Sequence, residues 1–260
     1  MTDPSIPTDE QGITIRNKHQ VAGRIVCLSV LVVRSQLEAL WRAEKDRPAL
    51  VKEYRKLDNW MAAQQLFDSF SPEEKLLMGK PPGTWEVDET AWMHWRSEAC
   101  AMLLWAGNKL QDFPAFGLGT PVQVLGPAMS LPESLTQFAD NLKLRPRDEL
   151  EDAMDLIGFR LWRARTEVMS RQKMPVENGE SHEANVARAC AQAVRIGLID
   201  PEEETDLLIT GVTLADADAL TFVTAASASQ ERHLALSWLC GLRPEWDEPQ
   251  TAIDPQPMDV

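Results

Sequence analysis

Five residues offer the most chemistry: Arg96 and Glu98 close together, Arg232 and His233 adjacent, and Asp247 further on. A guanidinium grips a carboxylate or phosphate through two parallel bonds, and a histidine moves a proton near neutral pH. A carboxylate can serve as the base or orient that histidine. Brought together by folding, the five would make an acid–base site; kept apart, they are ion-pairing residues. Trp246 and Glu248 flank Asp247. Arg96, Glu98, Arg232, His233, Trp246, Asp247 and Glu248 thus form the candidate partner or ligand surface.

The sequence assigns no catalytic, cofactor or metal set. Gly117-Leu118-Gly119 lacks the third glycine, the preceding strand and the following helix of a phosphate-binding loop. His182-Glu183 is a bare pair at a helix start, and His19, His94 and His233 lie far from it, with no metal-ligand spacing. There is no GxSxG elbow. Cys27, Cys100, Cys190 and Cys240 are isolated in apolar contexts, which reads as reduced, buried thiols. Asp148, Glu149, Glu151, Asp152 and Asp155 gather at one helix start, where negative charge complements the macrodipole on a solvated face. Trp92, Trp95 and Trp105 read as core packing or, with Arg96, as an aromatic and arginine contact surface.

Charge narrows the partners. The net charge is −14, and residues 181–260 hold 4 Lys and Arg against 14 Asp and Glu. Such a surface repels nucleic acid and anionic lipid and attracts basic proteins. The most apolar run, Ile25 to Val33 between Arg24 and Arg34, falls well short of the roughly 20 residues a membrane helix needs. The polar N-terminus has no secretory core, so the expectation is a cytoplasmic chain, off the membrane. Oligomeric state is not set by any pattern here.

The elements that must position these residues are helical. Apolar residues recur at three- and four-residue steps from Asn17 to about Lys45, and again from Leu50 to Phe67. Ser71-Pro72-Glu73-Glu74 is a helix start, with a capping hydroxyl, proline in the first turn and acids on the dipole. Lys80-Pro81-Pro82-Gly83 breaks the chain, and Asp88 offers the cap for a long helix to about Leu110. Residues 113–130 are interrupted by Pro and Gly and contain one β-like fragment, Pro121 to Leu125. Helices follow over 131–144, 147–171, from Ser181 to near Gly197, and from about Asp216 to Cys240, with Leu207 to Val212 as a short extended piece. The fold class is therefore all-α, about eight helices with at most a minor β element. A single domain is expected over 13–248, with an excursion at 112–130 and disordered tails at 1–12 and 249–260.

The closing segment adds a resemblance. Glu231-Arg232-His233-Leu234-Ala235-Leu236-Ser237-Trp238-Leu239-Cys240-Gly241, then Glu245-Trp246-Asp247-Glu248 and Thr251, resembles the end of the bacterial domain of unknown function 4272 family. Arg96-Ser97-Glu98-Ala99 with Leu104-Trp105-Ala106 resembles an inner helix of that family, and Asp155 to Arg165 another. Arg16 with Arg24 is similar to its opening segment. The resemblance implies a helical fold and no activity.

In the closing segment, Gly241 lets the chain reverse and Trp246 fold back onto the last helix, while Asp247 or Glu248 pairs with Arg232 or another arginine. Two functions compete. One is a non-enzymatic protein-binding module, such as an immunity or accessory protein that neutralises a basic toxin or secreted effector. The other is an enzyme whose site assembles from Arg96, Glu98, Arg232, His233 and Asp247.

Overall fold

The computed structural model describes residues 13–121, 131–132, 134–176 and 179–247. Among them are eight α-helices: α1 (Lys18–Arg42), α2 (Arg47–Ala63), α3 (Pro72–Met78), α4 (Val87–Ala106), α5 (Leu135–Asp140), α6 (Arg147–Arg171), α7 (His182–Arg195) and α8 (Ala219–Leu239). One two-stranded antiparallel hairpin joins β1 (Leu208–Ile209) to β2 (Val212–Thr213). The all-α reading with a minor β element holds. The expected tails and the fragment Val122 to Leu125 lie outside the described residues.

Local chemistry sets the helix starts. The Asn17 side chain accepts from His19 and Gln20 while Gln20 reaches back to the Asn17 N–H, a reciprocal cap on α1. Ser71 and Glu74 do the same for α3. Several boundaries differ from expectation, among them the end of α4 at Ala106 rather than near Leu110, and α5, which covers only part of 131–144. Helix α4 is capped by Glu86 with Glu89 rather than by Asp88, which falls in the first turn. Helix α2 stops at Ala63, because Gln65 turns left-handed, so Phe67 sits in a 3₁₀ turn and is 48% exposed instead of extending the apolar stripe.

Helix α1 packs on α4, α4 on α8, and α8 on α6. By length and composition α1 is apolar enough to cross a membrane, yet 78% of its most apolar window is buried among the other helices. Its apolar surface is satisfied by α4 and neighbours. Two apolar clusters result. The larger joins α1 to α5, the first half of α6 and the C-terminal half of α8, through Leu28, Leu103, Ile157 and Leu236. The smaller joins Phe159 of α6, α7, the hairpin and the N-terminal half of α8, through Cys190, Leu207, Ile209 and Phe222. Helices α6 and α8 belong to both clusters and tie them together. All four cysteines are buried and free, and burial pushes the Cys27 and Cys100 thiols up to about 12, so thiolate chemistry is suppressed.

Helix α8 ends at Gly241, whose φ of +73° is left-handed. A β-carbon there would also lie 2.6 Å from the Thr14 carbonyl oxygen. Both constraints demand glycine. The turn matters because it fixes where residues 243–247 go. Gly241→Ala should therefore lower folding stability by about 2 kcal/mol, read as a shift in denaturant midpoint at constant m-value.

Candidate functional site

Of the charged residues singled out in the sequence, Arg96, Glu98 and Arg232 are buried and each has found a partner. Arg232 lies on α8 facing Glu98 on α4. Its Nε and Nη2 donate to Glu98 Oε2 at 3.0 and 2.8 Å. The same guanidinium donates to the carbonyls of Ala115 and Leu118 at 2.8 and 3.0 Å, and to that of Pro114 at 3.3 Å. Glu98 also accepts from the Thr120 hydroxyl at 2.8 Å. The pair thus pins the loop after α4 against α8. A fork of five N–H groups suits this task, since it reaches several loop carbonyls at once, the buried Pro114 among them. The glycines of that loop belong to the same arrangement: Gly117 has a φ of +75° and presses on Ile209 of the hairpin, leaving no room for a side chain. What resembled part of a phosphate-binding loop is a packing device.

Arg96, two residues before the pinned carboxylate on α4, pairs instead with Glu231 at 3.0 Å. Burial raises the Glu231 carboxyl, while Arg96 beside it works in the opposite direction. Two antiparallel couples, Arg96–Glu231 and Glu98–Arg232, therefore bridge α4 and α8. Trp92, expected either as core or as contact surface, is 39% exposed with Arg96 above its ring at 5.1 Å. Trp105 is buried.

His233 does not join this group. It is buried near Arg165 and Arg243, and burial together with those two cations lowers it to about 4. A neutral folded histidine has a clear consequence. The unfolded chain takes up a proton near its ordinary value of 6.5, whereas the folded chain resists until about 4. Stability contributed by His233 is thus complete above that ordinary value and is lost as pH falls across the window. The loss amounts to about 3 kcal/mol by the bottom of it. A His233→Gln variant should lose that acid sensitivity, measured by urea unfolding at a series of pH values.

Asp247 stands elsewhere again. It was expected to pair with Arg232 or another arginine. Instead its Oδ2 accepts the Glu73 backbone N–H in the first turn of α3, at 2.8 Å. The reason is geometric: the turn at Gly241 carries residues 243–247 toward α1 and α3, while Arg232 is already consumed by Glu98 and the loop carbonyls. Glu248 lies outside the described residues. The five residues of the assembled-enzyme reading therefore sit in three places. Arg96, Glu98, Arg232 and His233 do not line the cleft that Asp247 lines.

Trp246 does fold back onto α8. It is 5% exposed and meets Trp238 edge to face at 5.6 Å. Arg24 of α1 lies over its ring at 4.4 Å and Arg96 at 5.7 Å. Arg24 is paired with Glu74, the capping carboxylate of α3. Arg16 donates to the Trp238, Arg243 and Pro244 carbonyls, at 2.8, 2.9 and 2.6 Å. Arg16, Arg24, Trp238, Trp246 and Asp247 together line a cleft of about 650 Å³ between the start of α1, the start of α3 and the closing segment. Glu74 and Glu231, essential to these pairs, were not among the candidate site residues. The signal for Glu74 was its place in a capping motif, which hides a second use.

A further pair repeats the scheme in the smaller cluster. Arg163 donates to both Asp206 oxygens and to Glu167 at 3.1 Å, and Asp206 also accepts from Leu207 and Ala215. Here a buried arginine of α6 anchors the hairpin segment.

The family model described as Domain of unknown function (DUF4272) matches residues 2–191. The chain belongs to this family. The matched span ends before α8, so in this DUF4272 member the last helix and its closing turn lie beyond the match. Within the span lie α1, α4 and α6, the helices that carry Arg24, Glu98 and Arg163. No curated protein and no solved structure matches the chain.

Proposed function

We propose that this DUF4272 member is a non-enzymatic binding module for a basic protein partner, working through the acidic segment between α7 and α8. The observation that carries this reading is a charge gap. No lysine or arginine occurs between Arg195 and Arg232, while Asp200, Glu202, Glu203, Glu204, Asp206, Asp216 and Asp218 all fall there. Of these, Asp206 is taken up by Arg163. Asp200, Glu202, Glu204, Asp216 and Asp218 are exposed, beside exposed apolar Val212, Leu220 and Val223. Carboxylates around apolar side chains favour a partner that is basic and partly apolar, and they raise its association rate at low salt.

A role as an immunity or accessory protein, neutralising a basic toxin or secreted effector in the cytoplasm, is the concrete form of this proposal. The competing enzyme reading has less support, since its five residues occupy three separate places and four of them hold helices or loops. Affinity purification of the tagged chain from its native cell tests the proposal. A stoichiometric basic protein, released by raised salt, is the expected result. Recovery of the chain alone, or of partners indifferent to salt, would overturn it.

A further inference from the structure

The cleft at the closing segment concentrates unsatisfied polar atoms. Arg24 Nε and Trp246 Nε1 are buried donors without a hydrogen-bond partner, and Asp247 Oδ1 is a buried acceptor without one. Glu74 Oε1, on the carboxylate paired with Arg24, is a fourth. Arg24 and Trp246 are 6% and 5% exposed, so neither side chain is bathed by bulk solvent. Buried polar atoms are nearly always paired, and each exception asks for a reason. The residues that carry three of them, Arg24, Trp246 and Asp247, line one cavity, with Phe70, Pro72 and Trp238 as apolar wall.

The charges of the lining decide what could satisfy them. Two guanidinium groups, Arg16 and Arg24, share the lining with two carboxylates, Glu245 and Asp247; Arg16 also holds three carbonyls and Arg24 is paired with Glu74. A simple anion or cation gains little net field in such a cleft. A molecule with a carboxylate at one end and an ammonium at the other gains at both. Its carboxylate would accept from Arg24 Nε and Trp246 Nε1, and its ammonium would donate to Asp247 Oδ1. We propose that this cleft binds a small zwitterion of the amino-acid or short-peptide class, with an apolar side chain packed on Phe70 and Trp238. Binding would also tie the closing segment to α1 and α3, because each of those elements supplies part of the lining.

Isothermal titration calorimetry on the full chain tests this with L-leucine, N-acetyl-L-leucine and L-leucinamide. L-leucine is expected to bind saturably, and each analogue, lacking one charge, at least about tenfold more weakly. Trp246→Phe keeps the ring and removes the donor, and Asp247→Asn keeps an acceptor for Glu73 while removing the charge. Each should weaken L-leucine binding by a similar factor while leaving the helical circular dichroism unchanged. No saturable binding of any probe, or equal binding of all three, overturns the proposal. So does undiminished L-leucine binding by folded variants. If a variant fails to fold, the three-probe comparison on the unaltered chain still decides.

Discussion

Arg232→Met should lower the folding free energy by about 3–5 kcal/mol, a fall of roughly 10 °C in Tm, with helix content retained below the transition. The substitution keeps most of the side-chain volume and removes the charge. It leaves Glu98 buried opposite an apolar group, and breaking a buried pair from one side is the costly way to break it. It also removes the part-buried bonds to the carbonyls of Ala115 and Leu118, each worth about 1 kcal/mol net. Removing both charges with Arg232→Met and Glu98→Leu should recover part of the loss. It cannot recover all of it, since Thr120 and the loop carbonyls stay without their partners. Thermal unfolding of the single and double variants checks the order. A single variant as stable as the parent would show that the pair does not hold the loop.

Trp246→Ala should cost about 3–5 kcal/mol, the range for emptying a large aromatic from a packed site. The ring is enclosed by Trp238 on one edge and by Arg24 and Arg96 over its faces. Its loss removes apolar burial and exposes two guanidinium groups that balance Glu74 and Glu231. Trp246→Phe should cost much less, because a smaller ring still covers Arg24. Urea unfolding of both variants measures the difference. Equal, small losses would mean that the closing segment is held by Asp247 and Arg16 instead.

Much of this fold was legible because helices announce their ends. Pro72 behind Ser71, Gly241 after the last apolar residue, and the three- and four-residue steps from Val21 to Val32 all act over a few residues, so a linear reading captures them. Boundaries failed where two local signals competed. Asp88 looks like a cap, but Glu86 and Glu89 form the reciprocal one. The candidate residues were legible as a set and not as an arrangement. That Arg96 belongs to Glu231 and Glu98 to Arg232 depends on how α4 and α8 cross. That crossing is fixed by Leu103, Leu236 and many other side chains at once. His233 illustrates the limit most clearly. It adjoins Arg232 in sequence, but successive helical side chains diverge by about 100°, and this one ends beside Arg165 and Arg243.

The buried arginines of this chain thus act as pins, and the exposed carboxylates are what remain for a partner. Repeating the native-cell purification with a Glu202→Lys, Glu204→Lys variant tests that division most directly, at two salt concentrations. Both residues are exposed. The expected result is a basic partner captured by the parent at low salt and lost from the folded variant. Capture of the same partner by parent and variant alike, at both salt concentrations, would contradict it.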